Sequence, residues 1–448
     1  MNDLIDRFVF ESRDRAFPAA TPRRQRPFAL PGKVDAVIGM RRSGKTWLLF
    51  DRISTLLAEG VPRERILYVN FEDERLRPLS AGDLQEFPEA LYRHRPESRD
   101  ELCHFFLDEI HVVPGWEQFV RRLSDDGKVQ VAVSGSSAAL LSREIATSLR
   151  GRSLATEVLP FGFDEALRHQ GIDTPRRFPV DARTRSTLER AFGRYMEVGG
   201  FPEVQKYPAE IRIRTLQEYA QVAVFRDVVE RHAVGHVQAL QQVVRQLLAA
   251  PAQSLSVNKL FQGLKSQGFR LAKDTLYSDL RHLEDAFLIG TVEIDSPSAR
   301  VRMTNPRKCY LIDPGLAHAF SLRAAANPGH LLENIVYLEL RRRGYEIAYI
   351  LTASGREVDF VVRKAKTESE MIQACADMTD PGTRQREISA IEEAFNEGRA
   401  KRATIVTLRQ EETIRVGRRA VRLVPAWRWL LEGLPGGAAH TLRVSHDG

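Results

Sequence analysis

The apolar run Val34 to Ile38 is followed at once by Gly39-Met40-Arg41-Arg42-Ser43-Gly44-Lys45-Thr46 and then by the apolar residues Trp47, Leu48 and Leu49. No other segment constrains the fold as much. A glycine-containing loop between a buried strand and a helix amino terminus has the form of a Walker A loop, in which backbone amides curl around a phosphate chain and the helix dipole adds positive potential. The expected nucleotide-binding set is therefore Gly39, Met40, Arg41, Arg42, Ser43, Gly44, Lys45, Thr46 and Trp47. Lys45 reaches the β and γ oxygens in this reading, and Thr46 supplies a hydroxyl to magnesium.

Such a loop needs a sheet beneath it. Apolar strands recur at Val34 to Ile38, Ile66 to Asn70, Phe105 to Asp108, Val129 to Ser134 and Ala155 to Leu159, with helices starting near Lys45, Leu84, Trp116 and Ser137. That alternation predicts an α/β unit over 33–163, a parallel sheet with helices on both faces, preceded by an extension over 1–32. The strand His104-Phe105-Phe106-Leu107-Asp108-Glu109 ends in two acids and has the form of a Walker B segment. Asp108 is then a magnesium ligand, and Glu109 polarises the attacking water. At the next strand end, Ser134 is the expected sensor of the γ-phosphate, with Ser136 beside it; Ser136 or Ser137 also suits a helix cap. Arg150 and Arg152, one helix later, are candidates to stabilise the transferring phosphoryl group, in cis or from a neighbouring subunit. ATP and Mg2+ are the cofactors expected.

Further along, helical periodicity fills 164–236, broken at Gly199-Gly200-Phe201-Pro202. Over 237–314 the pattern reads helix, helix, helix and hairpin, a winged-helix layout with wing strands at Ile289 to Ile294 and Lys308 to Ile312. Its third helix places Leu276, Leu280, Leu283 and Phe287 on one buried stripe and mixes Lys273, Arg281 and His282 with Asp274, Asp279, Glu284 and Asp285 outside. Such mixed charge suits a major groove poorly, whereas the wing carries Arg300, Arg302, Arg307 and Lys308 against Glu293 and Asp295. A helix from His330 to Arg343 and strands at Glu346 to Leu351, Glu357 to Val362, Met371 to Ala374 and Arg402 to Thr407 make a second α/β block over 315–448.

Composition agrees with several cores in water: 448 residues, 43% hydrophobic and 28% charged, with 66 basic against 59 acidic side chains for a net charge of +7. The basic excess permits nucleic acid as a partner without demanding it. Three separated cysteines, Cys103, Cys309 and Cys375, form no zinc or redox pair and fit a reducing compartment. With no apolar run of bilayer length, the expected location is cytoplasmic, with no membrane partner.

The chain resembles prokaryotic AAA-type P-loop ATPases that carry a carboxy-terminal domain of unknown function. The resemblance rests on 39–46, Asn70-Phe71-Glu72-Asp73, Leu107-Asp108-Glu109-Ile110, Pro114-Gly115-Trp116-Glu117, Ser134-Gly135-Ser136-Ser137, Leu149-Arg150-Gly151-Arg152, Gly199-Gly200-Phe201-Pro202-Glu203 and Tyr310-Leu311-Ile312-Asp313. It implies an AAA-type ATPase domain, a helical and winged-helix middle, and a terminal restriction-endonuclease-like α/β domain. It also implies a homo-oligomer, with a hexamer as the arrangement to expect. Such nucleases hold metal through an acid on the leading helix, an Asp at a strand end, and an acid-x-Lys on the next strand. Glu333 and Asp359 fill the first two positions, but Gln373-Ala374-Cys375 stands at the third, so a carboxylate and a lysine are missing. Glu357 is the available substitute ligand. The expected terminal domain is therefore degenerate, without efficient cleavage. The leading functional reading is an ATP-driven motor or switch acting on nucleic acid, most simply DNA. A nucleotide-dependent regulatory switch binding protein partners and an active ATP-dependent nuclease are the alternatives.

Overall fold

The computed structural model describes residues 2–24, 30, 32–136, 153–175, 177–321, 327–364 and 368–432. Its first sheet contains β1 (Val34–Ile38), β2 (Ile66–Asn70), β3 (Cys103–Asp108), β4 (Val129–Gly135) and β5 (Ser153–Glu157), all parallel, in the order β2-β3-β4-β1-β5. Alternate side chains feed two cores, as burial on both faces requires. Phe105 and Leu107 pack with Phe87, Trp116 and Phe119 on one face, while Phe106 joins Leu48, Leu49 and Ile53 of the helix Lys45–Ala58 on the other. The first 32 residues do more than precede this sheet. Their helix Asn2–Asp14 buries Ile5, Phe8 and Val9 in the same core as Phe87 and Phe119.

The helices Ala182–Val198 and Ala209–Val222 follow, the second continuing through a π-helical stretch, Ala223–Glu230. Helices Val237–Ala249, Val257–Ser266 and Lys273–Asp285 then pack with β6 (Gln253–Leu255), β7 (Ile289–Val292) and β8 (Arg307–Leu311), an antiparallel sheet ordered β6-β8-β7. The stripe Leu276, Leu280, Leu283 and Phe287 is buried, as its spacing predicts. Two expectations for this region fail. Asp279 is buried rather than exposed, because it pairs with His236 Nε2 at 2.8 Å, and Lys308 is buried rather than part of a basic wing. Between β7 and β8 the chain forms a short helix, Ala299–Thr304, which carries Arg300 and Arg302.

The second large sheet contains β9 (Glu346–Leu351), β10 (Glu357–Arg363), β11 (Glu370–Ala374), β12 (Arg402–Thr407), β13 (Glu412–Val416) and β14 (Arg419–Pro425), ordered β13-β14-β12-β11-β10-β9. Helix Pro328–Arg342 covers one face through Leu332, Ile335 and Val336, and helix Pro381–Asn396 covers the other through Ile391, Ala394 and Phe395. Polar contacts tie this block to the amino-terminal arm and to the end of the first sheet. Arg24 Nη1 lies 2.6 Å from Glu339 Oε1, Arg341 Nη2 lies 2.5 Å from Glu157 Oε1, and Arg342 Nη2 donates to the Pro160 carbonyl at 2.9 Å.

The turn at Gly199-Gly200 is clamped from both sides. Gly200 N–H donates to Asp313 Oδ2 at 2.5 Å, and Gly200 O accepts from Phe161 N at 2.7 Å. Asp313 also accepts from Gly315 N at 2.8 Å, and burial pushes its carboxyl up to about 7. A Cβ at Gly200 would sit 2.2 Å from Phe161 O, a backbone atom that cannot step aside. Gly200→Ala is therefore expected to destabilise the protein by roughly 2–4 kcal/mol in urea or thermal unfolding, since the overpacking has no flexible partner to absorb it. An unchanged unfolding midpoint would show that the turn is looser than drawn.

Candidate functional site

The loop after β1 wraps closely enough to require glycine at its first position: Gly39 has φ +150°, and a Cβ there would meet Val158 O at 2.3 Å. The helix that follows has no side-chain cap, so its first amides remain available to an anion. Lys45 is 4% exposed and donates to the carbonyls of Gly39 and Met40 at 3.2 and 3.3 Å. Its ammonium lies 3.3 Å from Glu109 Oε1. Ser43 Oγ is buried without a partner. Trp47, at the mouth, is 45% exposed.

Asp108 ends β3 with both carboxylate oxygens engaged. Thr46 Oγ1 and Tyr68 OH each donate to Oδ2 at 2.8 Å, and Ser134 Oγ donates to Oδ1. Burial, with Glu109 next to it, raises the Asp108 carboxyl against the pull of those three donors. Glu109 sits in the left-handed region at φ 53°, a backbone strain of the kind concentrated at functional sites. Burial would raise its carboxyl, but Lys45, His111 and Arg41 outweigh that and hold it below the ordinary range. Ser134 Oγ also accepts from Glu109 N at 2.9 Å, so one hydroxyl fixes both acids.

The loop arginines face other elements. Arg41 contacts Glu72 at 2.8 Å and the buried Asp227 at 3.2 Å, and Asp227 also accepts from Ser136 Oγ at 3.0 Å. Arg42 lies 3.3 Å from Glu203. Arg41, Arg42, Glu72 and Glu203 border a cleft of about 890 Å3 with Lys45, Thr46, Asp108 and Glu109, which Thr21, Arg23, Phe161, His169 and Tyr219 also line. The donor set suits a triphosphate with magnesium, since the uncapped helix start, Lys45, Thr46 and Asp108 converge there, with the partnerless Ser43 Oγ in the loop behind them. Arg150, Arg152 and Ser137 lie outside the described residues.

Sequence reasoning missed Tyr68, Arg23 and Asp227. Tyr68 carries the one hydroxyl in an otherwise apolar β2 segment, a weak sign of a partner across the sheet. Arg23 and Asp227 have no local sign, because their partners are far along the chain.

Glu333, Glu357 and Asp359 of the expected nuclease-like site meet around a side chain not assigned to it, with Gln373 beside Asp359. Lys308 Nζ lies 2.5 Å from Glu333 Oε1, 2.8 Å from Glu357 Oε1 and 3.0 Å from Asp359 Oδ1. A lysine therefore stands in the cluster after all, arriving from β8 rather than from the strand that carries Gln373. The ladder between β9 and β10 shifts register between Val358 and Val361, so Asp359 falls at the irregularity. Its N–H is taken by Gln373 Oε1 at 3.0 Å instead of by the strand partner. Gln373 Nε2 donates to Glu387 Oε2 at 2.7 Å.

A family model described as an AAA domain matches residues 32–167, and one described as a domain of unknown function matches 189–326. An uncharacterized protein of Methanocaldococcus jannaschii is 34% identical over 417 residues, covering 90% of this chain and 89% of that protein. An uncharacterized protein of Haemophilus influenzae is 29% identical over 332 residues, covering 74% of this chain and 80% of its own length. Among solved structures, the Walker-type ATPase of Pyrococcus abyssi covers 71% of this chain and 95% of its own at 14% identity and a TM-score of 0.41.

Because Ser134 is shared by two buried acids, Ser134→Ala is expected to lower the stability of the nucleotide-free protein by roughly 1–3 kcal/mol in urea unfolding, with Glu109 N–H left unsatisfied. A change within error would mean that water replaces the hydroxyl without cost.

Proposed function

The chain belongs to the prokaryotic AAA-type P-loop ATPases, and from that membership we propose that it binds ATP with magnesium, hydrolyses it, and applies the cycle to nucleic acid. The observation that carries hydrolysis is the 3.3 Å pair between Lys45 and Glu109 inside the cleft. In the nucleotide-free protein the two charges neutralise each other. A triphosphate draws the Lys45 ammonium to its β and γ oxygens, which frees Glu109 Oε1 while His111 stays beside Oε2. Glu109 then accepts a proton from water as the water oxygen attacks the γ-phosphorus and the bond to the bridging oxygen breaks. Ser134 keeps Asp108 and Glu109 in register during this step. Magnesium, held through Thr46 and Asp108, supplies charge neutralisation to the phosphate oxygens. Arg150 and Arg152 remain the proposed source of further positive charge, in cis or from a neighbouring subunit of a homo-oligomer.

Nucleic acid as the target is supported by the net charge of +7 and by the segment between β7 and β8. Arg300 and Met303 are exposed there, Met303 at 80%, and Arg307 is exposed beside them. Cations flanking an exposed apolar side chain suit a phosphate backbone with a base step behind it. The experiment for this part is ATPase activity with single-stranded, duplex and branched DNA. Salt-sensitive stimulation is expected, and its loss in Arg300→Ala/Met303→Ala; turnover indifferent to every DNA favours a switch for protein partners instead.

The two roles in the cleft separate in kinetics. Lys45→Ala is expected to abolish nucleotide binding, whereas Glu109→Gln retains ATP affinity and loses turnover by roughly a hundredfold or more. Binding is read by a fluorescent ATP analogue and turnover by phosphate release. Equal loss of affinity in both variants overturns the assignment.

A further inference from the structure

We propose that the Lys308 ammonium is the resident cation of the Glu333, Glu357 and Asp359 cluster, occupying the place where a divalent metal would bind, so that the second large sheet takes no catalytic metal. The inference stands apart from the ATPase reading.

Three carboxylates surround Nζ as ion pairs at 2.5, 2.8 and 3.0 Å, with Asp359 Oδ1 accepting a hydrogen bond from it, so one ammonium meets all three charges. Magnesium would need oxygens drawn to roughly 2.0–2.1 Å in octahedral geometry, and so would require the ammonium to leave. Lys308 is anchored against leaving. It is 3% exposed, and its strand pairs on both sides, with Ser254 of β6 and Val292 of β7.

Two oxygens of the cluster carry a further bond. Asp359 Oδ2 accepts from Ala374 N at 3.0 Å, and Glu333 Oε1 also accepts from Tyr310 OH at 2.8 Å. Gln373, at the missing carboxylate, spends its amide on Asp359 N and Glu387. Burial and the nearby Asp359 push the Glu333 carboxyl up, against the pull of Lys308 and Tyr310. Among the described residues, no group of three or more His, Cys, Asp or Glu side chains is placed to hold a metal ion. Lack of access is not the reason. A pocket of about 680 Å3, bordered by His330, Glu357 and Arg386, opens onto Glu333 and Asp359.

The test uses the full-length, nucleotide-free protein carrying Asp108→Asn, so that the first site contributes no metal. Mn2+ binding is followed by electron paramagnetic resonance and stability by thermal unfolding. The parent is expected to bind no Mn2+ and to melt at the same temperature with or without it. Lys308→Met is expected to lose roughly 5–10 °C in Tm, to bind one Mn2+ per chain, and to recover stability on binding. Adding Asp359→Asn should remove that ion. A folded Lys308→Met that binds no Mn2+ overturns the proposal. So does Mn2+ binding, or Mn2+-dependent DNA nicking, by the parent that Asp359→Asn abolishes. Should Lys308→Met fail to fold, the parent and its Asp359→Asn partner decide the question alone.

Discussion

The pairing of β4 with both β1 and β3 is the constraint on which the cleft depends. The phosphate loop follows β1 and the two acids follow β3, yet these strands are not neighbours; β4 lies between them, with Ala36 opposite Val133 and Leu107 opposite Val133 in the two ladders. The end of β4 therefore projects between loop and acids, and Ser134 is the first hydroxyl it offers. Hydrogen bonds to Asp108 and Glu109 from that one atom convert a sheet topology into a fixed separation of charges. Lys45 and Thr46, on the opposite rim, meet the acids because the helix after β1 starts at the same height.

Charge elsewhere is handled by burial in company. Lys308 sits among three carboxylates, and Asp227 is met by Arg41 and Ser136, so each buried ion has the partners that desolvation demands. The second group has a positional effect: Arg41 belongs to the phosphate loop and Asp227 to the π-helical stretch, so the helical middle of the chain touches the loop directly. π-helical irregularities are frequent at functional sites, and this one carries a buried carboxylate against Arg41 of the loop.

What was legible in the sequence was what local pattern encodes. Strands buried on both faces read as apolar runs, and the loop, the acids and Ser134 follow from their positions at strand ends. The stripe Leu276, Leu280, Leu283 and Phe287 was legible for the same reason, a fixed period on one element. Lys308 was not, because a lysine flanked by Arg307 looks like a solvated wing until Glu333, Glu357 and Asp359 are folded against it. The helix Asn2–Asp14 was read only as an extension, since its short amphipathic pattern does not say which core it joins. β13, β14 and the helix Pro381–Asn396 escaped notice, although they complete the second sheet and its cover.

The ions linking the two large sheets bear on how the molecule comes apart. Glu339 is fully buried, with Arg24 from the amino-terminal arm and Arg342 and Arg343 at the end of its own helix as partners. Removing the arm takes one of three cations from a fully buried carboxylate, a loss of charge compensation felt in the helix that covers the second large sheet. The two sheets are thus not beads on a string that melt in turn. Their unfolding is thermodynamically linked, and damage to either one is shared as lost cooperativity across the whole chain.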